Sequence, residues 1–260
     1  GCDEMLARDL FGQITDACAA LGIDLIGGHT EITLGIDRPV IAGAMLGETT
    51  AAEFVRGDDA AEGDAVLLTK GIAIEGTALL AREVPGTLRD RRMNEEMVAR
   101  AVELLFAPGI SVVPDAVALR AVTKPKLMHD PTEGGLATAL HEMATRADRE
   151  LHVRADAVRV LDETRAVCEA LELDPLWLLA SGALLAIVEP GAAEPACTAL
   201  RAAGIECDVI GRVGAGPPGV IMTAENRAIP LPAFARDEIA RFFDTPAGAH
   251  GARTPQQGRN

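Results

Sequence analysis

The chain has 260 residues, enough to bury a sizeable core as one large domain or two modest ones. Twenty-four basic against 39 acidic side chains leave a formal charge of −15, with five His counted neutral. That balance argues against a nucleic-acid binder, which needs a basic stripe, and against docking on an anionic membrane surface. Aromatics make up 3% of the chain, with one Trp and no Tyr, so base-stacking platforms and aromatic cages are poorly supplied.

In chain order, apolar residues at Met5, Leu6, Leu10, Phe11, Ile14, Cys18 and Leu21 predict a helix over 3–21, with Gly22 as its stop. Short apolar runs predict strands at Ile23–Ile26 and within 38–47. The polar stretch 48–64 reads as a connection. Beyond it, strands are expected at 65–69, 126–129, 183–188, 208–213 and 220–223. Helices are expected at 74–83, 94–105, 114–122, 135–147, 164–173, 194–203 and 232–243. This alternation implies a sheet with helices packed on it. The longest mostly apolar run, 176–188, is broken at Ser181–Gly182 and is too short for a membrane span. Residues 245–260, rich in Pro, Gly and Gln, read as a disordered tail.

The opening Gly1-Cys2-Asp3-Glu4 is acidic and lacks the apolar core of a signal peptide. The five Cys at 2, 18, 168, 197 and 207 have no CxxC spacing, which reads as reduced thiols serving as small core hydrophobes in a cytoplasmic protein.

Three Gly-rich segments follow β-like runs. In Gly27-Gly28-His29-Thr30-Glu31 the paired glycines let amides approach an anion, with donors and a carboxylate behind; a strand-ending turn explains the same letters. In His129-Asp130-Pro131-Thr132-Glu133-Gly134-Gly135, Thr132 or Glu133 would help cap a helix whose N-terminal amides the glycines free. There Asp130 and Glu133 are candidate Mg²⁺ or proton-transfer carboxylates, and His129 is a candidate acid or base. The functional reading is preferred to a merely well-capped helix. Thr69-Lys70-Gly71 through Thr77 is not a Walker A loop. It suits a phosphate-facing turn and a structural strand-to-helix connection equally. Gly57–Ala61 is acidic but reads as solvated linker, and His141 and His152 as surface or packing residues.

These segments, in this order and at these separations, resemble the aminoimidazole ribonucleotide (AIR) synthetase superfamily. That group contains the synthetase, the HypE hydrogenase maturation factors, selenophosphate synthetase and thiamine monophosphate kinase. The resemblance is strongest to its HypE-like, AIR synthase-related branch. It is carried by Gly27–Glu31 with Thr33 (GGHTEIT), Ala65–Thr77 (AVLLTKGIAIEGT), His129–Ala137 (HDPTEGGLA) and Ser181–Val188 (SGALLAIV), and it covers most of residues 1–225.

What it implies is an α/β (α+β), AIR synthase-like fold. A partial N-terminal domain over 1–50 would bind ATP and form a homodimer. A linker over 51–64 would lead to a C-terminal α/β sandwich domain over 65–244. By analogy the cofactors are ATP and Mg²⁺. Gly27, Gly28, His29, Thr30, Lys70, Thr132, Gly134 and Gly135 would contact the nucleotide, Glu31 and Asp130 the metal. Asp130, His129 and Glu133 would act on a small-molecule substrate of carbonyl or amide type, and a maturation-protein partner is implied as well.

Two departures qualify this. The chain has no initiating Met, and the family's GDDAA-type strand and DxxxxGAxP segment have no counterpart before the first helix, which reads as an N-terminal truncation. HypE ends in an acceptor Cys, whereas 245–260 contains none, so the substrate stays open. The alternatives are thiamine-phosphate kinase-like or selenophosphate synthetase-like phosphoryl transfer, or a non-catalytic homologue that binds a ligand or partner.

Overall fold

The computed structural model describes residues 3–31, 34–36, 38–233 and 236–244 and divides the chain into two units, Gly1–Thr49 and Thr50–Asn260. Thr33 of the first Gly-rich segment and the tail 245–260 lie outside the described residues.

Among the described residues the first unit holds one helix, α1 (Glu4–Leu21). Asp3 caps it by accepting the Leu6 amide at 2.8 Å, and Gly22 closes it at φ +66°, the left-handed turn that favours glycine. The strands expected at 23–26 and 38–47 do not form; their described residues are irregular. Ile26, Val40, Met45 and Leu46 are largely exposed. A strand persists only when a neighbour takes up its backbone hydrogen bonds. Among the described residues this unit offers no such neighbour.

The second unit is a sheet with helices on both faces. In chain order its elements begin with β1 (Ala65–Thr69), α2 (Ile74–Glu83), α3 (Pro85–Asp90), α4 (Glu95–Glu103), α5 (Val113–Arg120) and β2 (Leu127–His129). Then come α6 (Gly135–Ala147), β3 (Glu150–Arg154), α7 (Asp162–Leu171), β4 (Leu185–Val188) and α8 (Ala193–Ala202). The unit closes with β5 (Cys207–Val213), β6 (Gly219–Ala224), β7 (Arg227–Pro230) and α9 (Glu238–Phe243). The strand order is β2-β4-β1-β5-β3-β6-β7, antiparallel except for the parallel pair β3–β6. α2 and α6 fall at their expected bounds. α9 is shorter than the helix expected over 232–243, and α3, β3 and β7 add to the expected set.

β1 lies at the sheet's interior and is buried on both faces. Val66 and Leu68 point toward Leu136, Leu140 and Met143 of α6. Ala65 and Leu67 point to Leu119 of α5 and to Ala196, Cys197 and Leu200 of α8. Period-two alternation thus divides one strand between two apolar layers, and each large buried aliphatic side chain contributes roughly 1.5–3 kcal/mol. A third cluster joins α2, α4 and α7 through Leu80, Val98, Val167 and Leu171.

The connection is not wholly solvated. Gly57, Ala60 and Asp64 are buried. Asp64 accepts both Lys126 Nζ, at 2.9 Å, and the Ala61 amide, at 2.7 Å. A buried carboxylate needs such partners, and they fasten 57–64 to the sheet's edge. The stretch Glu95–Arg120 is longer than the run first noted, and an 18-residue window within it has a mean hydropathy of 1.6, enough by length and composition for a membrane-crossing helix. It is two helices, however: Ala107, at φ −139° and ψ 111°, interrupts it beside Pro108.

Candidate functional site

The HDPTEGG segment leaves β2 at His129 and enters α6 at Gly135. Pro131, which has no amide to continue a ladder, is buried, while Asp130 and Glu133 are exposed. Gly134 and Gly135 adopt φ +75° and +64°. At Gly135 a Cβ would stand 2.6 Å from the Leu176 carbonyl oxygen and 2.8 Å from that of Leu178. Glycine is therefore required here both by conformation and by close backbone approach. The contact is sealed by the Ala137 amide donating to Leu176 O at 3.0 Å and by the Ala180 amide donating to Thr132 O at 3.2 Å.

The same loop also closes on α2. The Gly76 amide donates to Leu179 O at 3.0 Å, and a Cβ at Gly76 would lie 2.7 Å from that oxygen. One segment, 176–182, is thus clasped by the N-terminal turns of two helices. Glycines that look like phosphate-loop residues in the sequence serve here as seats for this segment.

The amides expected to receive an anion already have acceptors. Gly134 donates to Asp237 Oδ2 at 2.6 Å, and Gly135 donates to Thr132 O at 3.0 Å. Asp237 also caps α9, its Oδ1 accepting the Ile239 amide at 2.7 Å. The α6 cap therefore comes from Asp237 rather than from the expected Thr132 or Glu133 side chain. A carboxylate suits the positive end of a helix. Its only sequence signal is an Asp before Glu238-Ile239, which announces a cap for its own helix and nothing more distant.

His129 is about two-thirds buried. Its Nε2 lies 2.6 Å from Glu142 Oε2, and its Nδ1 lies 3.9 Å from Asp130 Oδ1. Glu142 sits on α6 about two turns in, a spacing the heptapeptide motif does not contain. His141 turns Nε2 toward the carbonyls of Leu231 and Pro232, and His152 pairs with Glu150.

Lys70 faces inward. Its ammonium lies 2.7 Å from Ser111 O, 3.0 Å from Gly182 O and 2.9 Å from Asp115 Oδ2. Asp115 is completely buried and accepts the Thr69 hydroxyl at 2.5 Å. Two hydrogen bonds to backbone carbonyls and an ion pair with a buried carboxylate hold this lysine in the core. Of the two readings left open for the Lys70 turn, this geometry realises the structural one.

Gly27–Glu31 lies in the first unit as irregular, exposed chain. His29 Nε2 is 3.6 Å from Glu31 Oε2 with both side chains mostly in solvent, and no atom lies within 4 Å of a Cβ built at Gly27 or Gly28. Among the described residues no three His, Cys, Asp or Glu side chains converge as a metal cage.

The described Cys other than Cys18 are buried. Burial, helped by Asp174, Glu238 and Glu169, pushes the Cys168 thiol up to about 12. Cys197 and Cys207 bring their sulfurs to 3.2 Å; that hydrogen bond, and then burial, hold the Cys207 thiol above its ordinary range.

Residues 61–223 match the family described as AIR synthase related protein, C-terminal domain. The carbamoyl dehydratase HypE of Azotobacter vinelandii is 31% identical over 214 residues, covering 80% of this chain and 58% of that protein. The carbamoyl dehydratase HypE of Rhizobium leguminosarum bv. viciae is 30% identical over 196 residues, covering 74% and 53%. The chain thus spans little more than half the length of these relatives. A crystal structure of hydrogenase maturation protein HypE in complex with ATP shares the fold, with a TM-score of 0.64 and 24% identity, over 92% of this chain and 71% of that one.

Proposed function

Because the chain belongs to the AIR synthase related family, in its HypE-like branch, we propose that it forms part of an ATP-dependent enzyme that activates a carbamoyl-type carbonyl by phosphorylation. The single observation that carries this reading is the exposure of Asp130 and Glu133 beside His129 on a loop whose backbone is pinned at both ends. Exposed acid–base groups on a rigid support are what positioning catalysis asks for.

Magnesium and ATP fit these residues in donor type. Asp130 and Glu133 offer the hard carboxylate oxygens that Mg²⁺ takes, and with no protein cage the remaining ligands would be phosphate oxygens and water. Bound Mg–ATP supplies the phosphoryl group that converts a poor oxygen leaving group into a good one. In this reading Asp130 is a metal ligand and Glu133 orients the substrate, while within the first unit Glu31 offers a metal its carboxylate and Gly27–Thr30 offer a nucleotide their backbone amides. His129 takes up or returns a proton at Nδ1. Thr132, Gly134 and Gly135 hold the loop in place through their backbone, and Lys70 belongs to the core.

The same reading makes residues 1–50 part of a nucleotide-binding, dimerising domain and 65–244 the substrate-facing one. It places the enzyme in the cytoplasm beside a maturation-protein partner, in keeping with the relatives' names.

The test is Mg-dependent ATP turnover with a carbamoyl donor by the protein that carries this chain. Asp130→Asn is expected to lower kcat by roughly a hundredfold or more with its circular dichroism unchanged. Undiminished turnover in that variant would remove Asp130 from the reaction.

A further inference from the structure

We propose that Glu142 is a positioning residue that fixes the tautomer and plane of His129, so that the ring presents Nδ1 as a proton acceptor beside the Asp130–Gly134 loop. The proposal rests on the reading above only where it concerns catalysis; the pairing itself stands on geometry.

Glu142 Oε2 lies 2.6 Å from His129 Nε2. An ionised carboxylate only accepts, so the shared proton is on Nε2 and the neutral ring keeps its lone pair on Nδ1. Nδ1 is 3.9 Å from Asp130 Oδ1, outside hydrogen-bond reach, which leaves that nitrogen open to a reacting group. The charged groups facing the ring are Asp130 and Glu142.

Glu142 is itself held firmly by its helix. The opposite face of α6 buries Leu136, Leu140 and Met143, and its first turn is locked under the 176–178 backbone through Gly135. A competing partner stands ready at Arg146, four residues on, where helix geometry ordinarily favours an ion pair. Glu142 makes none with it and takes His129 instead. Glu142, Arg146 and Thr138 line an open cavity of about 540 Å³, so this acid meets the ring at a solvent-accessible rim.

Such outer partners set ring orientation and basicity, and their loss typically costs roughly 10–100-fold in function. The test is long-range ¹H–¹⁵N NMR of this chain, with the His129 signal identified by its loss in His129→Gln, at a pH where the ring is neutral. The wild-type ring is expected as the Nε2–H tautomer alone. Glu142→Ala is expected to show a measurable fraction of the Nδ1–H form beside it. Glu142→Gln fills the same space but donates as well as accepts, and is expected to admit the Nδ1–H form too.

A wild-type ring protonated on Nδ1, or either variant retaining the Nε2–H form alone, overturns the proposal. In the complete enzyme, Glu142→Ala should lower kcat about tenfold or more with the KM for ATP unchanged. If the tautomers respond as stated while His129→Gln turns over at the full rate, the catalytic reading of His129 falls and the Glu142–His129 pairing stands.

Discussion

Lys70 and Asp115 pose the sharpest question at the level of single residues, because a lysine before a glycine at the end of a strand invites a phosphate. Its ammonium instead donates to Ser111 O and Gly182 O and pairs with the Asp115 carboxylate inside the protein. Removing one member of such a pair strands a buried charge, whereas replacing both with apolar groups can be close to neutral. Asp115→Ala is therefore expected to cost about 3–5 kcal/mol, read as a lower urea midpoint. Lys70→Met combined with Asp115→Leu should recover most of that loss. If Lys70 instead served a nucleotide, Lys70→Met would leave the midpoint untouched and weaken binding. The sequence shows the amine without its direction, and Asp115 lies far away in the chain on α5. Asp237 and Glu142 were hidden for the same reason: each reaches the HDPTEGG segment from another element, and no local pattern encodes that distance. What local pattern did reveal was the trio His129, Asp130 and Glu133, gathered by a Pro and two glycines into one loop.

Among the elements, the contrast between helices and strands is instructive. The bounds of α2 and α6 were legible because a helix satisfies its own hydrogen bonds and its ends are marked by nearby residues. The runs at 23–26 and 38–47 have strand-like composition, but a strand also needs a partner, and composition cannot supply one. The N-terminal turn of α6 shows how a correct boundary can conceal a different role. Its glycines mark the start of the helix, yet Gly135 is required by the Leu176 and Leu178 carbonyls packed against it. Gly135→Ala would force a side chain into φ +64° and against backbone oxygen, two penalties of order 1–3 kcal/mol each. A loss of at least about 2 kcal/mol is expected, with faster amide exchange at Ala137 and Ala180, the two amides that seal the loop. Exchange unchanged at both positions would show that this seat is not what holds the segment.

For the whole molecule, stability should depend on pH through buried thiols, and the composition makes that dependence unusually clean to read. The chain contains no Tyr and three Lys, so few groups ordinarily titrate near pH 10. Cys168 is buried against α7's neighbours with its thiol pushed up to about 12, first by burial and then by Asp174, Glu238 and Glu169. The folded protein keeps that proton above pH 9, where the unfolded chain surrenders it. The unfolded state then binds fewer protons, so the slope of stability against pH is negative. The stabilisation is whole below about pH 9 and drains away as pH climbs toward about 12. Cys207, also held high by Cys197 and by burial, acts with the same sign, whereas Cys197, drawn down by their shared hydrogen bond, acts with the opposite one. Between about pH 8 and about pH 10.5, Cys168→Ala should lose about 2 kcal/mol less stability than wild type. Urea midpoints at the two pH values measure this, and comparing the change rather than the level cancels the small cavity left by the missing sulfur. Equal losses in the two proteins would mean that Cys168 ionises as freely folded as unfolded, and that the junction of α7 with the 172–178 segment admits water.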